Sequence, residues 1–105
     1  MNRGEIWFAD VGRGGDRPVL VLTRDPVADR IDAVVVAQLT TTIRGLTSEL
    51  HLGPSDGLKR ECVASFDNLH TLPRSSFRRR VATLRPSRLD EACDRLADAL
   101  GCGGR

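Results

Sequence analysis

The chain is predicted to be mainly β, within the α+β class: a small, strongly bent sheet or barrel closed by one C-terminal helix. Three observations carry that prediction. Short apolar or alternating runs follow one another closely from Glu5 to Leu84. Turns rich in Gly, Pro and Asp separate them. Only the last stretch, with Leu89, Ala92, Cys93, Leu96, Ala97 and Leu100, repeats at helical spacing. The sequence has 105 residues, read as one domain over residues 1–105. A chain of this size buries roughly 60–70% of its unfolded surface, so its core has a thin margin and an oligomer would help.

Each element follows from its residues. Glu5 to Asp10 is a short strand with Ile6 and Phe8 on one face. Gly12, Arg13, Gly14 and Gly15 make a turn, because glycine accepts positive φ at no steric cost. Pro18 to Thr23 is a buried strand with proline at its start, where no ladder hydrogen bond is lost. Residues 25–32 form a loop, and Ala33 to Leu39 reads as a central strand. Thr47 to Leu52 alternates, so it should be half exposed, with His51 outward. Gly53 to Gly57 is a turn, Glu61 to Phe66 a strand, residues 67–73 irregular or extended, and Arg78 to Leu84 the last strand. Pro86 suits the first helical turn and Gly101 the stop, although Ser87 and Asp90 could form a capping box two residues on. Residues 102–105 are expected to fray.

Composition narrows the function. A hydrophobic fraction of 40% argues against disorder, and no apolar run approaches the roughly 20 residues of a membrane span. With no signal-peptide core at its start, the chain is expected to be soluble and cytoplasmic, with no membrane partner. Cys62, Cys93 and Cys102 have no metal-type spacing and read as small hydrophobes, so neither metal nor cofactor is expected. The net charge of +2 is uneven: six Arg face seven acids in residues 1–55, and ten Lys and Arg face seven acids in residues 56–105. Arg74, Arg78, Arg79, Arg80 and Arg85 cluster with no acid among them. Arg makes planar, bidentate contacts to phosphate. GC-rich coding accounts for the total of fifteen Arg among sixteen basic residues better than for that cluster.

One pairing stands out. Arg17 directly precedes an apolar run, and a second run ends at Leu39 in Thr40, Thr41 and Thr42. A guanidinium and hydroxyls fixed at two strand ends can grip one phosphate. The plain alternatives are a surface ion pair for Arg17 and β-propensity for the threonines.

Four segments together resemble the MazF/PemK family of toxin endoribonucleases: Arg3-Gly4-Glu5-Ile6-Trp7, Arg17-Pro18-Val19-Leu20-Val21, Leu39 to Leu46, and Asp67-Asn68-Leu69-His70-Thr71. The resemblance implies an SH3-like β-barrel of the MazF/CcdB type with a C-terminal helix. It implies a homodimer that cleaves single-stranded RNA selectively and without metal, inhibiting translation and growth. It also implies a cognate MazE-like antitoxin that blocks the groove with an extended segment. By resemblance Arg17 and Thr40 are the catalytic residues. The 2′-OH would attack phosphorus, leaving a 2′,3′-cyclic phosphate and a 5′-OH, with Arg17 stabilising the charge that develops.

Arg13, Asp16, Thr41, Arg44, Arg78 and Arg80 are the candidates for the RNA groove, with solvated surface charge as the plain reading of each arginine. Asp16 is the carboxylate nearest in sequence, but strand alternation turns it away from Arg17, which leaves the general base open. His51 and His70 belong to no motif. Trp7 suits core or dimer contact better than base stacking. Two other readings use the same barrel class: a toxin that poisons a protein target such as gyrase, and a non-catalytic RNA-binding module.

Overall fold

Strand alternation sorts this sequence onto two faces of one sheet, and both faces carry apolar residues. The computed structural model describes residues 1–12 and 15–102. Its elements are β1 (Glu5–Asp10), β2 (Asp16–Val21), β3 (Ala33–Thr40), β4 (Glu49–Leu52), β5 (Cys62–Pro73), β6 (Phe77–Thr83) and α1 (Pro86–Leu100). The six strands form one curled sheet in the order β4-β5-β3-β2-β1-β6, with every neighbour antiparallel. The predicted class therefore holds: mainly β, with one C-terminal helix.

Along β3, Ala37 and Leu39 join an inner cluster with Ile6, Leu20, Leu52, Ala64 and Phe66. Val34 and Val36 join an outer cluster with Ala9, Val19, Val21 and Leu72. The helix seals the inner cluster with Leu89, Ala92, Leu96 and Ala99, lying against β4 and β5. Pro86 occupies its first turn, and Gly101 closes it at φ +69°. The N–H of Cys102 donates to the carbonyl of Ala97 at 2.9 Å, the second bond of a Schellman-type stop. Residues 103–105 of the expected tail lie outside the described residues. Arg88 fastens the helix, donating from Nε to Asp56 Oδ1 at 3.0 Å and from Nη2 to the carbonyl of His51.

The largest difference from the sequence reading is β5. Residues 67–73 are not a separate irregular piece; they continue the strand begun at Cys62. Central β3 needs a partner along its whole length, and one ladder cannot supply it without a break. Ala37 pairs with Leu69, but the next residue, Gln38, pairs with Ser65, so residues 66–68 bulge. The alternating stretch before Gly53 is also shorter than expected: only Glu49–Leu52 is strand, and residues 41–47 form an exposed loop.

Candidate nucleic-acid interface

The register of β2 on β3 brings the two predicted residues together. Val19 lies opposite Gln38 and Val21 opposite Val36. Carried two residues further, that register sets Arg17 across from Thr40 on the outer face. Both line one open cavity of about 290 Å³, with Pro18, Gln38, Leu39, Thr41 and Cys62. Arg17 is exposed and has no ion-pair partner among the described residues. Its guanidinium is free to take an anion. Thr40 ends β3, so Thr41 is released from strand alternation and faces the same cavity. Burial pushes the Cys62 thiol pKa up, with Glu61 and Asp56 adding to the effect, so it stays a neutral thiol.

Thr40 and Gln38 also line a second, polar groove of about 300 Å³ with Thr42, Arg44, Leu46, Glu49, Ser65, Asp67 and Asn68. Its wall is built. The carboxylate of Glu49, only 5% exposed, accepts from the backbone N–H groups of Arg44 at 3.2 Å, Gly45 at 2.9 Å and Leu46 at 3.2 Å. Gly45, at φ +75°, lets the chain turn around that carboxylate. The hydroxyl of Ser48 donates to Asp67, tying the loop to the β5 bulge. Arg44 is thus held at the groove by its own backbone.

The other predicted arginines are placed differently. Arg78 lies 3.5 Å from Asp16 and 3.8 Å from Asp10. Arg80 lies 3.5 Å from Glu5, whose other carboxylate oxygen accepts from Trp7 Nε1 at 2.9 Å. Neither Arg78 nor Arg80 lines either groove, and Asp16 serves Arg78 rather than Arg17. Arg13 lies outside the described residues. Trp7 meets Phe77 edge to face at 5.9 Å and packs on the outer cluster, as its core reading requires. His51 is exposed, as alternation predicts.

Two positions that shape the grooves escaped the sequence reading. Gln38 shares the face of Thr40 two residues away, a signal that alternation did offer. Glu49 was taken only as part of an alternating strand, and nothing local in the sequence says that its carboxylate turns back to hold residues 44–46.

A model of the family described as PemK-like, MazF-like toxin of type II toxin–antitoxin system matches residues 2–100. The chain is 61% identical over 103 residues to a protein named probable endoribonuclease MazF2 of Mycobacterium tuberculosis, covering 97% of this chain and 100% of that one. A solved endoribonuclease in complex with its cognate antitoxin, from a mycobacterial species, superposes with a TM-score of 0.88 at 28% identity, covering 100% and 99% of the two chains. The Mycobacterium tuberculosis toxin MazF-mt6 gives 0.87 at 32% identity, covering 95% and 99%.

Proposed function

The chain belongs to the family of PemK-like, MazF-like toxins of type II toxin–antitoxin systems and is an endoribonuclease of that family; we propose that it cuts single-stranded RNA without a metal ion, at Arg17 and Thr40. The meeting of those two side chains in one cavity is the observation that carries the reading. The ribose 2′-oxygen attacks the adjacent phosphorus as the P–O5′ bond breaks. A 2′,3′-cyclic phosphate forms, and the leaving oxygen takes a proton to become a 5′-OH. Charge builds on the phosphoryl oxygens, where the free guanidinium of Arg17 stabilises it and the Thr40 hydroxyl donates. Among the described residues, no carboxylate lines that cavity. The 2′-OH proton therefore passes to solvent, and the rate comes from charge stabilisation and in-line geometry.

Arg44 and Thr41 contact RNA beside the cut, Asp16 opens the strand that carries Arg17, and Arg13, four positions earlier in the sequence, is a further RNA contact. Arg78 and Arg80 join the RNA contacts only by giving up their carboxylate partners. The toxin works as a homodimer in the cytoplasm, and a cognate antitoxin covers the groove, as the complex of the similar mycobacterial endoribonuclease suggests. No helix is long and apolar enough to cross a membrane among the described residues. A phosphate site with an unpaired arginine favours nuclease over a protein-poisoning surface, which needs no such group.

The test is cleavage of long single-stranded RNAs in EDTA with mapping of the cut ends. Cyclic phosphate and 5′-OH ends are expected. Absence of cutting across several RNAs defeats the nuclease reading for this chain, and cutting that needs added metal defeats the mechanism.

A further inference from the structure

Gln38 sits where the two grooves meet, and its amide is held by neighbours that the mechanism does not use. His70 Nε2 lies 3.0 Å from Gln38 Oε1, and Asn68 Nδ2 donates to the same oxygen at 3.3 Å. These three residues come from β3, from the β5 bulge (Asn68) and from the ladder just beyond it (His70). With His70 as the Nε2–H tautomer, the amide oxygen accepts twice and is saturated. The amide nitrogen then has two N–H donors and no acceptor among the described residues, on a side chain that lines both cavities.

The two grooves differ in what they can hold. The cavity of Arg17 suits the phosphate. Its neighbour sets the carboxylates of Glu49 and Asp67 against the single guanidinium of Arg44, which leaves no excess positive charge for a second phosphate, and adds neutral donors and acceptors that suit a base. An unpaired, splayed base is read by hydrogen bonds along its edge. A fixed –NH2 finds an acceptor at the keto oxygen of uracil or guanine. Against the exocyclic amine of cytosine or adenine it sets donor against donor.

We propose that Gln38 is a specificity-determining residue: its amide, oriented by His70 and Asn68, donates to the base beside the scissile phosphate and selects keto over amino bases there. The proposal rests on the nuclease reading of Arg17 and Thr40. Sequence-coded selection at this point needs no aromatic platform, which fits a chain whose Trp7 is engaged with Phe77.

The experiment is cleavage of a randomised single-stranded RNA pool, with the ends sequenced for wild type, Gln38→Ala, Gln38→Glu, His70→Phe and His70→Gln, each checked by thermal melting. Wild type should favour U or G at one position beside the cut. Gln38→Ala should flatten that preference by roughly 5- to 10-fold, the worth of one net hydrogen bond, and leave preferences at other positions in place. Gln38→Glu, an acceptor only, should turn the preference toward C or A. His70→Phe should weaken the preference, and His70→Gln, which keeps a donor, should restore much of it. If Gln38→Ala does not fold, Gln38→Met gives the same reading. An unchanged pattern in a cutting Gln38→Ala or Gln38→Met variant overturns the proposal. So does a wild-type preference for amino bases, which would mean the amide is turned over. If wild type cuts nothing, the nuclease reading fails first and this proposal falls with it, a result distinct from cutting without selection.

Discussion

The end of the β2–β3 pair and the β1–β6 edge both carry arginines on this sheet, and they treat them in opposite ways. At β1–β6, Arg78 is bracketed by Asp10 and Asp16, and Arg80 lies against the buried carboxylate of Glu5. At β2–β3, Arg17 has no carboxylate within ion-pair distance among the described residues and opens to a cavity with Thr40. The count of arginines therefore says little about where an anion binds. What matters is which guanidinium the fold leaves without a partner. The sequence cluster around Arg78 to Arg80 looked more basic than the single Arg17, yet two of its charges are already answered within the chain. Arg79 stacks over the Phe8 ring at 4.6 Å, so it too is engaged.

Substitutions at the two places should separate them sharply. Arg17→Ala is expected to lower the cleavage rate about 10²–10³-fold, the usual cost of one aimed donor at developing charge. Its melting temperature should stay near that of wild type, because the side chain is exposed and unpaired. Single-turnover cleavage beside a thermal melt measures both, and an Arg17→Ala variant as active as wild type would erase the contrast. Thr40→Ala comes next, with a loss of about 1.5–3 kcal/mol of transition-state stabilisation, the value of a hydrogen bond to a charged group. It should appear in kcat more than in KM.

Glu49→Ala tests the wall rather than the phosphate site. Three backbone N–H groups lose their shared acceptor, at a cost of about 1–3 kcal/mol in stability. Hydrogen exchange should quicken at residues 44–46 before anywhere in β3. The smallest change belongs to Arg78→Ala. Its ion pairs with Asp10 and Asp16 are half exposed, so less than about 1 kcal/mol of stability should go, with cleavage unchanged within a few-fold. A large loss of cleavage there would mean that RNA displaces the carboxylates and that the two places are more alike than their ion pairs show.

Much of this arrangement was legible beforehand, for reasons that differ by element. The strand at Glu5 to Asp10, the two apolar runs after Arg17 and Asp32, and the helix after Arg85 announce themselves through period and punctuation. That Arg17 and Thr40 meet in one cavity was legible through their places at strand ends. The pairing of Arg78 with Asp16 was not, because the partners are 62 positions apart, as their numbers show, and only the β1–β2 and β1–β6 ladders together bring them side by side. Gln38 could be placed on the face of Thr40, but its bonds to His70 and Asn68 depend on a bulge that no local pattern signals. The same bulge explains why residues 67–73 read as irregular: the alternation of β5 changes phase there, since Ser65 faces outward with Gln38 and Leu69 inward with Ala37, although they are an even number of residues apart.

That change of phase bears on how such a toxin can diversify. Residues 66–68 stand between two ladders and belong to neither. Gaining or losing two residues there would keep Ser65 and Leu69 on their present sides, whereas gaining or losing one would turn half of β5 inside out. Even-numbered length changes at this point are therefore a route by which descendants of one scaffold could acquire new reading edges over an unaltered cutting centre, and odd-numbered ones a route that selection closes.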